Sequence, residues 1–227
     1  MMDIKKIIES AKRDGRRILN EYESKIILKE YSIPMVDDIL VKDEIQLLDA
    51  IDKLSFPLTL KGQMDDLTHK SEEGLVKLDI RSIEEAKEAF EEIISKVGSD
   101  GAVLVERYIK SPREFMAGMI RDPQFGPAVM FGLGGIFTEI FKDISFRVAP
   151  LKLKDAMEMM DDIKASKMLG PVRGLPEADK NSLSQILINL GELGITIPEI
   201  KEIDINPILL DGSRPIGVDA LIILEGD

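Results

Sequence analysis

"EIKEIDINPILLDGSRPIGVDALIIL", residues 199–224, reads as two apolar-rich strands, EIKEIDINPILL and RPIGVDALIIL, joined by the turn DGSR. Side chains two apart on a strand share a face, so Asp204 and Asn206 project together. Asp219 stands on the neighbouring strand, within IGVDAL and surrounded by apolar residues. Three oxygen-bearing side chains on paired strands can hold a hard cation that keeps water and phosphate oxygens as its other ligands. The alternative is a solvated strand face, and an aspartate embedded in GVDALIIL fits it poorly. Paired strands closing the chain also argue against a doubly wound parallel sheet.

Upstream of this pair, the chain from Gly101 is rich in strand patterns: AVLVERYI, EFMAGMIRD, PAVMFGL, IFTEIF and SFRVAPL. Helices are expected around Asp155–Ala165 and Asn181–Leu193, with Met157, Met159 and Met160 packing the first. Before Gly101, helical and extended patterns alternate. Ile4, Ile7, Ile8 and Ala11 fit one helical face, and Asn20 with Glu23 has capping-box spacing before a helix that turns Tyr22, Ile26 and Ile27 inward. A strand in MVDDILV, a helix over EIQLLDAIDKL and a strand ending at Lys61 follow. Val76, Leu78 and Ile80 then alternate with Lys77 and Asp79, and Ser82 with Glu85 opens a helix with Ala86, Phe90, Ile93 and Ile94 inward. The order predicts an N-terminal helical extension over 1–20 and a small α/β lobe over about 25–100. That lobe is set against a second, α+β lobe over about 101–227.

Composition narrows the chemistry. The 227 residues carry a net charge of -12, which repels nucleic acid over most of the surface. Without cysteine there is no disulfide, thiolate nucleophile or thiolate metal site, and one histidine cannot build a multi-histidine centre. The N-terminal stretch alternates apolar and charged residues too often for a secretory leader, and no apolar run approaches the ~20 residues that span a bilayer. A cytoplasmic protein with neither a nucleic-acid nor a membrane partner is expected.

Other stretches carry chemistry of their own. FPLTLKG places Lys61 at the end of an apolar strand, where an ammonium must either reach water or meet an anion. The polar loop LTHKSEEG holds the single histidine, His69, and ends at Gly74. Such loops wrap phosphate oxygens with backbone N–H groups or are simply solvated turns. Gly132, Gly134 and Gly135 in FGLGGIF imply close backbone approach but match neither nucleotide-binding glycine spacing. Glu106 and Glu114 flank RYIKSPR.

Together these stretches resemble the ATP-grasp family. The narrower resemblance is to the β subunits of ADP-forming acetate–CoA ligases, relatives of succinyl-CoA synthetase β. It is carried by LNEYESKIILKEYSIP, FPLTLKG, LTHKSEEG, VLVERYI, RDPQFGPAVMFGLGGIFTEIFKDISFRVAPL, EIDINPILLDG and GVDA. It implies an ATP-grasp fold, α+β with α/β, of two lobes with the nucleotide between them. Lys61 matches the lysine that contacts nucleotide phosphates, and Thr68, Lys70 and Ser71 the phosphate-covering loop. Glu106 matches the hinge glutamate beside the adenine pocket and Glu114 the ribose carboxylate, with Ile109 a further nucleotide-binding position. Asn206 and Asp219 match Mg²⁺ ligands, joined by Asp204 where succinyl-type relatives have glutamate. Leu75 stands where relatives often carry a second glycine.

His69 is similar to a phosphohistidine that passes a phosphoryl group from a CoA-binding α subunit, which bears its own phosphohistidine, to ADP. A hetero-oligomer, α2β2, is implied. A single-subunit carboxylate–amine ligase and a non-catalytic nucleotide-sensing subunit are the alternatives.

Overall fold

The computed structural model describes residues 4–63, 74–98, 101–135 and 143–226. The strand expected over IFTEIF, residues 136–141, lies outside them. The first elements are α1 (Ile4–Arg13), β1 (Ile18–Leu19) and α2 (Glu21–Glu30). Next come β2 (Asp38–Val41), α3 (Glu44–Leu54), β3 (Leu58–Gln63), β4 (Val76–Ile80), α4 (Ile83–Val97) and β5 (Ala102–Arg107). Then follow β6 (Glu114–Asp122), β7 (Gly126–Leu133), β8 (Ile144–Val148) and α5 (Leu153–Asp162). A 3₁₀ turn (Lys164–Leu169) and α6 (Lys180–Thr196) lead to β9 (Ile200–Asp211), β10 (Arg214–Gly217) and β11 (Ala220–Leu224). Among the described residues no helix is long and apolar enough to cross a membrane.

The chain divides into two compact units, Val36–Ile109 and Met1–Met35 with Lys110–Asp227. Residues 25–35 belong with the second unit because α2 packs on β11 there. In the smaller unit an antiparallel sheet runs β2-β5-β3-β4. Leu58 and Leu60 point into a core shared with Leu47, Ile51, Phe90 and Ile93 of α3 and α4. Gly62 shares that face: a Cβ there would lie 3.0 Å from Val97 and 3.2 Å from Ile93, so the strand can lie close to α4.

The predicted alternation of β4 holds only at Ile80. Leu58 pairs with Ile80, but Leu60 pairs with Lys77, so β4 carries an extra residue. Asp79 takes φ 57 in this bulge, and Leu78 turns outward, 61% exposed. The box expected at Ser82 is also altered. Ser82 accepts from the Glu85 N–H at 3.2 Å, while the Glu85 carboxylate reaches past Ser82 to the Arg81 N–H at 2.7 Å.

The larger unit is built on an antiparallel sheet of order β1-β11-β9-β6-β7-β8, with β10 folded back on β9. Phe115 and Phe131, with ring centroids 5.8 Å apart, fill its centre. Leu183, Ile186, Leu187 and Leu190 of α6 and Met159 and Met160 of α5 belong to the same core. The helix α2 starts as predicted: Asn20 Oδ1 accepts from the Glu23 N–H at 2.9 Å, and Glu23 answers by accepting from the Asn20 N–H at 3.0 Å. Its inward face is Glu21, Ser24, Lys25, Ile27 and Leu28 rather than Tyr22 and Ile26. Lys25 and Glu21, one turn apart, form a buried ion pair at 2.7 Å that lets a charged face enter the core.

Candidate functional site

Two groups of polar side chains are assembled, one in each unit. In the smaller unit, Thr59, Lys61 and Gln63 share the face of β3 opposite to α4, and all three are buried. Lys61 Nζ meets Glu106 Oε2 at 3.1 Å, with the two side chains 8% and 2% exposed. Glu106 lies between Thr59 of β3 and Asp38 of β2 in the ladder. One face of this sheet is thus apolar and the other a buried polar surface centred on an ion pair. Such a pair persists when its charges are closely matched and further hydrogen-bonded, and both residues do make other polar interactions. Ile109, also buried, follows β5. Thr59 and Gln63 are missed if Lys61 is read alone, although period-two spacing around it points to them.

Thr68, His69, Lys70 and Ser71 lie outside the described residues, in the connection from β3 to β4. The end of that connection is firmly set. Leu75, standing where relatives often have glycine, is 1% exposed in the core of the smaller unit, and its carbonyl accepts from the Gly62 N–H at 2.8 Å. Gly74 beside it has φ +67, so any turning freedom at this end of the loop sits on Gly74.

In the larger unit Asp204 and Asn206 lie on β9, as the pattern of two requires. Asp219 does not lie on a strand: β10 ends at Gly217 and β11 begins at Ala220, leaving Asp219 in the break. There its Oδ1 accepts from the Ala220 N–H at 2.8 Å. The three glycines of FGLGG explain themselves here. A Cβ on Gly132 would fall 2.6 Å from the Asp143 carbonyl oxygen, and one on Gly134 would fall 2.6 Å from that of Phe115. The Gly134 N–H donates to Glu114 O at 2.8 Å. Gly135, φ +67, lies directly against the Glu114 carboxylate, and its N–H points to Asn206 Oδ1 at 3.4 Å. Gly135 therefore leaves room for the Glu114 carboxylate on one side and directs its N–H to Asn206 on the other.

Asp204 Oδ1 is buried and has no hydrogen-bond partner among the described residues. Burial pushes its carboxyl up to about 6, and the charges of Asp219 and then Glu202 act in the same direction. A buried, unpartnered carboxylate oxygen beside a second carboxylate and an amide oxygen suits a hard divalent cation. Among the described residues no three carboxylate or imidazole groups converge. Water and ligand oxygens would therefore complete the shell.

The raised pKa sets a sign for stability. An acid whose folded pKa exceeds its unfolded value of ~3.9 stabilises the fold fully below that value and loses the contribution as pH rises through about 6. Ionised Asp204 thus opposes folding at neutral pH by up to about 3 kcal/mol in metal-free buffer. Asp204→Asn is expected to raise stability at pH 7.5 by about 1–2 kcal/mol, the remainder lost to a buried amide N–H. It should also flatten the decline between pH 4 and 6. Urea denaturation at pH 5 and 7.5, with and without Mg²⁺, measures this. An unchanged pH slope would show that Asp204 is no more burdened than a surface carboxylate.

Comparisons with known proteins bear on what these groups serve. The ATP-grasp domain family matches residues 10–224. The chain is 44% identical over 226 residues to the acetate–CoA ligase [ADP-forming] I subunit beta of Pyrococcus furiosus, covering 97% of both chains. Among solved structures, it is similar to Ca. Korarchaeum cryptofilum dinucleotide forming acetyl-coenzyme A synthetase 1 in complex with coenzyme A and Ca-AMPCP. There the TM-score is 0.92 with 38% identity, over 98% of this chain and 100% of that one. A second structure of that protein holds coenzyme A and Mg-AMPPCP, with its phosphohistidine segment pointing towards the nucleotide binding site. It matches with a TM-score of 0.88 and 38% identity over the same shares of the two chains. With its antiparallel sheets and a likeness that runs the length of both chains, this protein belongs to the ATP-grasp family, among the β subunits of ADP-forming acetate–CoA ligases.

Proposed function

We propose that this chain is the nucleotide-binding β subunit of an ADP-forming acyl-CoA synthetase, and that it makes ATP from ADP and a phosphoryl group carried on histidine. The overall reaction is acyl-CoA + ADP + phosphate ⇌ carboxylic acid + ATP + CoA. What carries this reading is the full-length likeness to a synthetase whose structure holds both coenzyme A and a magnesium-bound nucleotide analogue. A single-subunit carboxylate–amine ligase and a nucleotide-sensing subunit find no support among these relatives. An α subunit binds CoA, cleaves the thioester and bears the first phosphohistidine. The two assemble as α2β2 in the cytoplasm.

The residues divide the work by chemistry. Lys61, fixed in place by Glu106, offers an ammonium to nucleotide phosphates. Glu106 and Ile109 lie on the adenine side, and Glu114, beside Gly135, serves the ribose hydroxyls. Thr68, Lys70 and Ser71 cover the phosphates, and His69 receives the phosphoryl group and gives it to ADP. Neutral imidazole is nucleophilic near pH 7, and the phosphorylated ring is a good phosphoryl donor. Asn206 and Asp219, with Asp204, are the residues that would hold Mg²⁺. Once bound, the ion neutralises charge on the phosphates.

This division of labour predicts that the isolated chain binds ADP in the presence of Mg²⁺ but does not turn over acyl-CoA. Added α subunit is expected to confer turnover. Calorimetry and a coupled ATP assay test the two halves separately, and acyl-CoA turnover by the purified chain alone would refute the arrangement.

A further inference from the structure

Between the 3₁₀ turn and α6 the chain makes a closed loop, and its construction is specific. The Ala178 N–H donates to Leu169 O at 2.8 Å, closing the base. Val172 and Leu175 exchange hydrogen bonds, at 3.3 and 2.9 Å, closing the tip. The two residues at the tip, Arg173 at φ 46 and Gly174 at φ 83, both occupy the left-handed region, as a type I′ turn demands. Asparagine or glycine suits the first of these positions, and arginine is disfavoured there. Nothing in the fold compensates, because Arg173 is exposed and forms no ion pair or hydrogen bond among the described residues.

The loop is held from below by a second arginine. Arg113 is 3% exposed, and its guanidinium donates to Met168 O at 3.2 Å, Gly170 O at 3.2 Å and Pro176 O at 2.8 Å. Ser111 Oγ donates to Arg113 O at 3.0 Å and accepts from the Leu210 N–H of β9 at 3.4 Å, which ties this corner to the sheet. Arg113 directly precedes Glu114, the carboxylate beside Gly135. The buried guanidinium donates to carbonyls on both arms of the loop, while its Nε has no partner among the described residues, and so fastens the loop to the stretch of chain just before Glu114.

The stretch leading up to the tip of the loop is locally basic, although Glu177 at the loop's far end balances Arg173. No acidic residue falls between Asp162 and Glu177, and the exposed Lys164 and Lys167 in that stretch have side-chain ammonium groups with no carboxylate partner among the described residues. In a protein of net charge -12 this run of three basic residues, bounded by Asp162 and Glu177, is a place where an anion meets cationic side chains first. An arginine's planar fork matches two phosphate oxygens at once.

We propose that the loop Leu169–Ala178 is a rigid phosphate-recognition element, with Arg173 as the contacting residue and Arg113 as its positioning residue. The phosphate is either that of the nucleotide or the phosphoryl group arriving on the partner subunit. This deepens the phosphoryl-transfer reading and depends on it only for the source of the phosphate.

The test uses the full chain and Arg173→Asn, which suits the turn and removes the charge. Arginine Nε–H resonances are followed as inorganic pyrophosphate and, separately, Mg·ADP are added, with Arg173 assigned by its loss in the variant. ATP formation is measured in the reconstituted complex. The expected result is a shift of the Arg173 resonance with pyrophosphate, a melting temperature of the variant no lower than wild type, and turnover reduced about tenfold or more. A shift with Mg·ADP as well identifies the nucleotide as the source. Unchanged ADP binding with reduced turnover identifies the partner. Should pyrophosphate leave the resonance in place at millimolar concentration and turnover stay within twofold of wild type, the assignment is wrong. A wild-type complex that makes no ATP would overturn the phosphoryl-transfer reading instead, and the resonance shift would still decide for the loop.

Discussion

His69→Ala and His69→Asn are each expected to lower ATP formation by the reconstituted complex about a thousandfold or more while leaving ADP affinity unchanged. Removing a nucleophile that forms a covalent intermediate closes the route, whereas removing a binding group only raises KM. Asparagine keeps a polar side chain of similar reach but cannot carry a phosphoryl group, so it separates chemistry from hydrogen bonding. The split between transfer and binding is expected because most of the groups assigned to nucleotide contact belong to other elements and are untouched by the substitution: Lys61 and Glu106 on the smaller unit's sheet, and Asp204, Asn206 and Asp219 at β9 and the break before β11. Phosphate label supplied through the α subunit should appear on wild-type chain at His69 and be absent from both variants. Turnover within twofold of wild type would return His69 to the class of surface imidazoles.

How far the sequence discloses the protein depends on whether a feature is set by periodicity or by tertiary closure. Strands with an apolar run bounded by polar residues, such as EFMAGMIRD, and helices with a capping residue, such as EIQLLDAIDKL after Asp43, lie where the pattern puts them. Asp204 and Asn206 share a face for the same reason. Leu78 faces outward because a single extra residue in β4 inverts the alternation, and no local signal in VKLDI announces it. Asp219 is expected on a strand because GVDALIIL is apolar throughout, yet the ladder stops at Gly217. The cost of burying a carboxylate shows in Asp204, whose partnerless oxygen appears only when β6 and β11 are laid on either side of it. FGLGG announces close backbone approach without naming what approaches, and Glu114 and Asn206 become its neighbours only through the β6–β9 pairing. Family resemblance supplies roles that patterns do not, and it passes over Thr59, Gln63 and Arg113, which become visible through burial and hydrogen bonding.

Lys61→Met is expected to destabilise the protein by about 3–5 kcal/mol, because it leaves the Glu106 carboxylate, 2% exposed, without its ammonium. The same change removes the positive charge offered to the nucleotide, so ADP affinity should fall about 10- to 100-fold, the worth of one charged hydrogen bond. A single substitution therefore cannot say whether binding is lost through missing contact or through a loosened sheet. The double variant Lys61→Met with Glu106→Gln resolves it. Neutralising both partners removes the buried uncompensated charge, and replacing a buried ion pair by neutral groups of similar volume costs little. Urea midpoints should then recover most of the way to wild type, while calorimetry with Mg·ADP still finds affinity at the level of the single variant. Were affinity to return with stability, Lys61 would be a counter-ion for Glu106 and nothing more. The ammonium's position within β3, which runs on to Gln63 rather than ending at Lys61, on the strand's polar face and held by a carboxylate that is itself flanked by Thr59 and Asp38 in the ladder, makes the first outcome the expected one. A lysine needed only to satisfy Glu106 could be dispensed with by an apolar pair at the same two positions. Under the proposed function, phosphate oxygens entering the same field would offset the cost of keeping both charges buried.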